Sequence, residues 1–211
     1  LLQHSCIYKT GNRHFEVNNS RENFTLQKNM IIFASEKALS FIQINNKSAF
    51  SFNRITMILR LILKNFLSFD DEAQFDMFPN MKRTQLAGHV YTDLCDVPLL
   101  KQAAIYGPNG AGKSNVVKAM EFLRAFALDK DFAKNLELGK FFYLLKKDAG
   151  KEPISLAVEF EIQQHFFFYE VELTETFVAK EGLYESFPKE GKLDLIYERK
   201  QEEGEFAQAA D

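Results

Sequence analysis

The sequence is poor in the residues that build extracellular scaffolds and metal sites. It has two cysteines, Cys6 and Cys95, and four histidines scattered without ligand spacing. A disulfide framework or a zinc centre needs more thiols or clustered imidazoles, so both thiols read as idle or buried groups in a reducing compartment. Long apolar runs are lacking too, and none approaches the roughly 18 residues of a bilayer span. The start, Leu1-Leu2-Gln3-His4-Ser5, has no basic stretch leading into an apolar one. No secretory signal is read there, and the chain is expected in the cytoplasm, away from membranes. An excess of positive charge is absent as well. The net charge of −3 gives no global basic field of the kind that gathers nucleic acid, although a local basic patch stays compatible with it. What remains is an ordinary globular mixture, 46% hydrophobic and 26% charged, in 211 residues. That length suffices for one domain with a real core, or one and a half.

Composition shifts near Met57. Residues 1–56 hold no proline, no aspartate and one glycine, Gly11, with seven Lys/Arg against three Glu. Eight of the thirteen asparagines fall in this part, and the chain does not begin with methionine. Two readings stand. Residues 1–56 are a genuine extension, a small basic arm for a partner, or they are translated sequence upstream of a natural start at Met57. The strand-like pattern directly after Met57 favours the second. Apolar stretches such as Met30-Ile31-Ile32-Phe33 receive no function.

From Met57 the pattern is that of a folded domain. Met57 to Lys64 is short, apolar and rich in branched residues, which predicts a mostly buried strand. Asn65 to Asp71 reads as a turn with two apolar anchors, and Glu72 to Phe78 as a second strand stopped by Pro79-Asn80. Leu99 to Tyr106 is expected to be a strand running straight into Gly107. After Ser114 the apolar residues Val116, Met120, Leu123 and Ala127 share one helical face, leaving Lys118, Glu121 and Arg124 toward water. Beyond a turn at Asp148–Pro153 the period becomes two. Leu156, Val158, Phe160 and Ile162 alternate with Ala157, Glu159 and Glu161. After Gln163-Gln164-His165, residues Phe167, Tyr169, Val171 and Leu173 alternate with Phe168, Glu170 and Glu172. This predicts an antiparallel hairpin with one apolar and one wet face. Shorter strands are expected at Gly182–Phe187 and Leu193–Arg199.

Between the expected strand and the helix stands Gly107-Pro108-Asn109-Gly110-Ala111-Gly112-Lys113-Ser114, which fits G-x-x-x-x-G-K-[ST] at every fixed position. Each residue type has a reason. A loop that wraps a phosphate with inward backbone N–H groups needs glycines, because a Cβ would clash or forbid positive φ. The helix start supplies unpaired amides and the positive end of its dipole. Lys113 supplies an ammonium to the β- and γ-phosphates, and the Ser114 hydroxyl a hard oxygen for Mg²⁺. The candidate nucleotide-binding residues are therefore Gly107 to Ser114 with Asn115, the catalytic candidate is Lys113, the metal candidate is Ser114, and the expected cofactors are ATP and Mg²⁺, with GTP less favoured.

Other candidates are weaker. His89 and His165 are isolated, and turn or surface histidines are far commoner than ligands. Asp70-Asp71-Glu72 reads as a solvated acidic run. Phe166 to Tyr169 has the look of a base-stacking platform, but alternation assigns most of it to the core. Phe66 and Phe69 read as anchors of the first strand rather than contacts to a nucleotide base.

Two strings carry a family resemblance. Ile62-Leu63-Lys64-Asn65-Phe66-Leu67-Ser68-Phe69 resembles the opening strand of the RecF, SMC and OLD-like group of ABC-type ATPases. Ile105 to Asn115 resembles their P-loop, including Pro-Asn-Gly and Ser-Asn. Within that group, the chain is most similar to bacterial AAA-family ATPases of abortive infection and phage defence, over about residues 57–200. The resemblance implies an α/β fold: a P-loop NTPase of the ABC-type head class, with a mixed central sheet around the P-loop and an antiparallel β-subdomain beside it. It also implies a homodimer of heads closed around ATP, and a DNA, nuclease or toxin partner. The chain departs from the group in lacking an apolar run ending in Asp-Glu, a signature Ser-Gly and a switch histidine. Leu193-Asp194-Leu195-Ile196-Tyr197-Glu198 is the nearest string to the first, with its acid out of register.

Residues 57–211 are thus expected to be the N-terminal part of such a domain, ending before Walker B. Without those acids the water and the metal lack partners, so weak ATP binding and negligible hydrolysis are expected of this stretch alone. Two functions compete. One is an ATPase, active in full length, that drives a DNA-related or phage-defence effector. The other is a nucleotide-sensing module that binds ATP without significant hydrolysis and regulates a partner nuclease or toxin. An ordinary P-loop kinase is disfavoured by the early hairpin.

Overall fold

The computed structural model describes residues 57–201 apart from 81, 83–87, 93–96, 129–131, 133–136 and 163, together with the backbone of two short strands near the start. Those strands are β1 (Tyr8–Thr10) and β2 (Arg13–Phe15), paired antiparallel. The rest of 1–56, with Met30–Phe33 and Cys6, lies outside the described residues, as do Cys95 and the chain beyond 201.

The centre is a six-stranded sheet. Its strands are β3 (Met57–Lys64), β4 (Ala73–Asp76), β7 (Ile154–Ile162), β8 (His165–Leu173), β9 (Val178–Phe187) and β10 (Lys192–Lys200). The order across the sheet is β10-β9-β8-β7-β3-β4, and every neighbouring pair is antiparallel. β3 therefore sits inside, hydrogen-bonded on both edges, as its unbroken branched-residue run requires. The expected hairpin is β7–β8, with Phe160 opposite Phe167 and Val158 opposite Tyr169. The two last strands exist but are longer than the sequence suggested.

Two short strands, β5 (Val90–Tyr91) and β6 (Leu99–Leu100), form a separate pair. The expected strand from Leu99 to Tyr106 is thus confined to its first two residues, with a single bridge at Tyr106. A strand persists only where neighbours take its backbone groups, and among the described residues no strand flanks 101–105. The mixed central sheet around the loop is likewise not found among them. The observed sheet is wholly antiparallel, and Gly107 lies off it.

Among the described residues one α-helix, α1 (Lys113–Leu128), packs on the sheet. Val116 and Leu123 are buried as expected, with Met120 and Ala127 half-buried against the core. The buried stripe is wider than the four-residue reading and includes Ala119, Phe122 and Phe126. Phe122 is its hub, with ring centroids 5.7 Å from Phe66, 5.0 Å from Phe141 and 5.4 Å from Phe132. Phe66 and Phe69 are buried in the same core and act as anchors.

The wet face of the hairpin is a correction. Glu159 and Glu161 are buried. Glu159 is 2.7 Å from Arg60 Nε on β3 and accepts from the Ser186 hydroxyl on β9, while Glu161 accepts from the Gln164 amide at 2.6 Å. The second face of the sheet is covered by Met57, Leu59, Val97, Leu99 and Phe166, which form a smaller core of their own. A carboxylate there needs partners; cross-strand neighbours supply them to Glu159, and the hairpin turn supplies one to Glu161. Phe166, Phe167 and Tyr169 are core residues, as the alternation assigned most of Phe166–Tyr169.

Candidate P-loop at the start of α1

The loop before α1 takes its shape from glycine. Gly110 has φ +81° and Gly112 φ +89°, both in the left-handed region. Gly112 is also held by space, because a Cβ there would lie 2.5 Å from Ser68 Oγ and 3.4 Å from the Phe69 ring. The Ala111 amide donates to the Pro108 carbonyl at 3.2 Å, so the segment is bent and not extended. The amides of Asn115 and Val116 share the Gly112 carbonyl at 3.0 and 3.3 Å, closing the first turn of α1. Among the described residues no acceptor takes the amides of Gly110, Gly112, Lys113 or Ser114. These are the orphan donors of a helix start.

The side chains sort into two groups. Lys113 curls back over the loop, donating from Nζ to the carbonyls of Gly107 and Pro108, both at 2.7 Å. Pro108, Asn109, Gly110 and Ser114 face solvent, with Gly107 and Ala111 half-exposed. Asn115 turns the other way. Its carboxamide donates to Ser68 Oγ at 2.9 Å, in the turn after β3.

That turn is built tightly. Phe66 and Phe69 exchange backbone hydrogen bonds at 2.9 Å around Leu67-Ser68, and the Asn65 amide donates to the Asp70 carbonyl at 3.1 Å. Asn65 is buried at φ +51°, and its carboxamide donates to the carbonyls of Ala149 and Glu152, both at 2.8 Å. The Leu67 amide donates to the Phe141 carbonyl at 2.7 Å. Lys146 reaches Glu152 at 3.2 Å and Asp70 at 3.4 Å from outside. Its hydrogen bonds to Glu152 and then to Asp70 hold the ammonium above its ordinary range, and those from Lys146 and then Lys64 hold Glu152 below its own.

The other residues considered for chemistry lie elsewhere. His165 pairs with Glu185 at 3.1 Å on the exposed end of β8, and His89 is exposed. Asp71 and Glu72 are exposed, Asp70 half-exposed. Among the described residues no three His, Cys, Asp or Glu gather as a metal would require, and no helix is long and apolar enough to cross a membrane. Leu193–Glu198 lies on the edge strand β10, where Leu193, Leu195 and Tyr197 are exposed and Ile196 packs against the core. Ser68 is what sequence reasoning missed. Its partner is 47 residues away, and only the serine between the two phenylalanines hinted at it.

Residues 103–209, half of the chain, match the family described as "AAA domain, putative AbiEii toxin, Type IV TA system". The chain belongs to this AAA domain family. The AAA domain carries the P-loop NTPase fold, and its kinship is with AAA/ABC-type ATPases of abortive infection. The matched stretch opens at Ala103, just ahead of Gly107, and takes in the loop, α1 and β7 to β10. No curated protein and no solved structure matches the chain.

Proposed function

We propose that this AAA domain binds the polyphosphate of ATP with Mg²⁺ at the loop Gly107–Ser114. The observation that carries the reading is the coincidence of bent loop, unpaired amides and ammonium at one helix start. Amides left without an acceptor at a positive helix end suit an oxyanion, and they cost little to reorganise because the glycines already hold the backbone. The Lys113 ammonium rests on two carbonyls of its own loop. A phosphate oxygen would be a stronger, charged acceptor for it. The exposed Ser114 hydroxyl would serve the metal, which supplies charge neutralisation between phosphates when bound.

At the next level we read the domain as part of an ABC-type head, whose closure on a second copy around ATP would drive an effector, a nuclease or toxin acting in phage defence, or a DNA-directed one. The family's association with AbiEii toxins supports the defence setting. The test is a titration of the full chain with Mg·ATP, followed by phosphate release. Binding with turnover supports an ATPase, and binding without turnover supports a nucleotide sensor. Lys113→Ala should weaken binding by roughly tenfold to a hundredfold, the range of a lost charge-assisted hydrogen bond. Unchanged affinity in that variant removes the site assignment.

A further inference from the structure

We infer that Ser68 is a positioning residue for the phosphate loop, working as one unit with Asn115 and Gly112. The inference rests on the nucleotide reading above and extends it to a residue outside the loop. Three observations meet at one hydroxyl. Ser68 Oγ accepts the Asn115 carboxamide at 2.9 Å. The same oxygen occupies the space that a Cβ on Gly112 would fill. And Gly112 is the residue whose carbonyl closes the first turn of α1, through the amides of Asn115 and Val116.

The backing is rigid. Ser68 sits at the tip of a two-residue turn whose flanks, Phe66 and Phe69, are buried and bonded to each other. Asn65 ties the base of that turn to the carbonyls of residues 149 and 152. Phe66 touches Phe122, on the core face of the helix that Gly112 begins. The turn thus presses on the helix start from behind while its open side faces solvent. A glycine at φ +89° with space on every side would sample many conformations, each aiming the following amides differently. Ser68 removes that freedom on the core side, and its hydrogen bond fixes the Asn115 side chain away from the phosphate face. Pre-ordered donors bind an anion better than the same donors free to wander.

The experiment is equilibrium binding of Mg·ATP to the full chain, with thermal melting in parallel. Ser68→Ala and Asn115→Ala should each weaken binding by about three- to tenfold, the worth of one neutral hydrogen bond. Ser68→Thr, which keeps the hydroxyl, should stay within about twofold of the parent. The double variant should bind no more weakly than the weaker single one, because both changes break one contact. Ser68→Ala should also melt slightly lower than Ser68→Thr, by the worth of that one hydrogen bond, whereas a merely structural role would lower the melting temperature and leave affinity unchanged. Parental affinity in Ser68→Ala, or additive losses in the double variant, overturns the inference while the nucleotide reading stands. A parent chain that shows no affinity for Mg·ATP removes both.

Discussion

Asn65 ties the turn behind the loop to the 149–152 segment. It is buried in the left-handed region, where a non-glycine residue costs of order 1 kcal/mol, and asparagine tolerates that conformation best. Its amide group satisfies two carbonyls of the 149–152 turn at once. Asn65→Ala would keep the strain and orphan both carbonyls, so the variant should lose about 2–4 kcal/mol in chemical denaturation. Asn65→Gly would lose the same hydrogen bonds and relieve the strain, and should recover part of that. If the two variants were equally stable, the left-handed conformation would not be what asparagine is there for. Gly112 poses the converse case. Gly112→Ala meets both an unfavourable φ and the Ser68 hydroxyl, and should lower both stability and Mg·ATP affinity. In a Ser68→Gly background the steric part vanishes, so only the backbone part of the loss, about 1 kcal/mol, should remain in the melting curve.

At the scale of elements, legibility in the sequence follows the range of the forces. β3, α1 and the β7–β8 hairpin are set by local periodicity, and each stands where its apolar spacing put it. The loop's shape was legible as well, because glycine type and spacing are local. Three things were not. Glu159 read as solvent-facing because its partners, Arg60 and Ser186, come from other strands, and Glu161 because the Gln164 amide it accepts from is placed by the hairpin turn. The strand expected through residues 101–105 needs neighbours that no local pattern reveals. And Ser68 matters only through Asn115, a contact that depends on tertiary packing. The stripe of α1 was legible in direction but not in width, and Phe122 shows why it counts. It is buried at 3% exposure and contacts four other rings, from the turn after β3 to the segment after the helix. Phe122→Ala should cost about 3–5 kcal/mol. Phe122→Leu, which keeps most of the volume, should cost less than half of that. Because Phe122 also ties α1 to the turn carrying Ser68, the Ala variant should lose Mg·ATP affinity at temperatures where it is still folded. A folded Phe122→Ala with parental affinity would show that loop and core are uncoupled.

Over the whole molecule, the sheet is cross-stapled at its far end by tyrosine–carboxylate pairs, and these make its stability depend on alkaline pH. The Tyr169 hydroxyl on β8 donates to Glu181 on β9 at 2.8 Å, and Glu181 also accepts from Arg199 on β10 at 2.9 Å. Tyr184 on β9 donates to Glu198 on β10 at 2.9 Å. Burial pushes both phenols well above their ordinary range, and the neighbouring carboxylates, Glu181 for one and Glu198 for the other, add to it. The sign follows from proton counts. Below about pH 10 the phenols are protonated in both folded and unfolded chains and contribute no slope. Above it the unfolded chain releases protons that the fold retains, so stability falls as pH rises. Lys146 and Lys192, raised by hydrogen bonds to their carboxylate partners, act in the same direction. The buried Tyr169 phenol adds a slope of up to about 1.4 kcal/mol per pH unit in that range, and the more exposed Tyr184 less. Tyr169→Phe separates the two roles of the hydroxyl. Near pH 7 the variant should be less stable by about 1–2 kcal/mol, because Glu181 loses a donor in a buried place. By about pH 11 the gap should narrow, because the parent alone retains a proton there that its unfolded chain gives up. Denaturation curves at both pH values read this directly, with tyrosinate absorbance reporting whether ionisation accompanies unfolding. A gap that stays constant between them would mean that Tyr169 ionises in the folded sheet as readily as in water, and would overturn this reading of its burial.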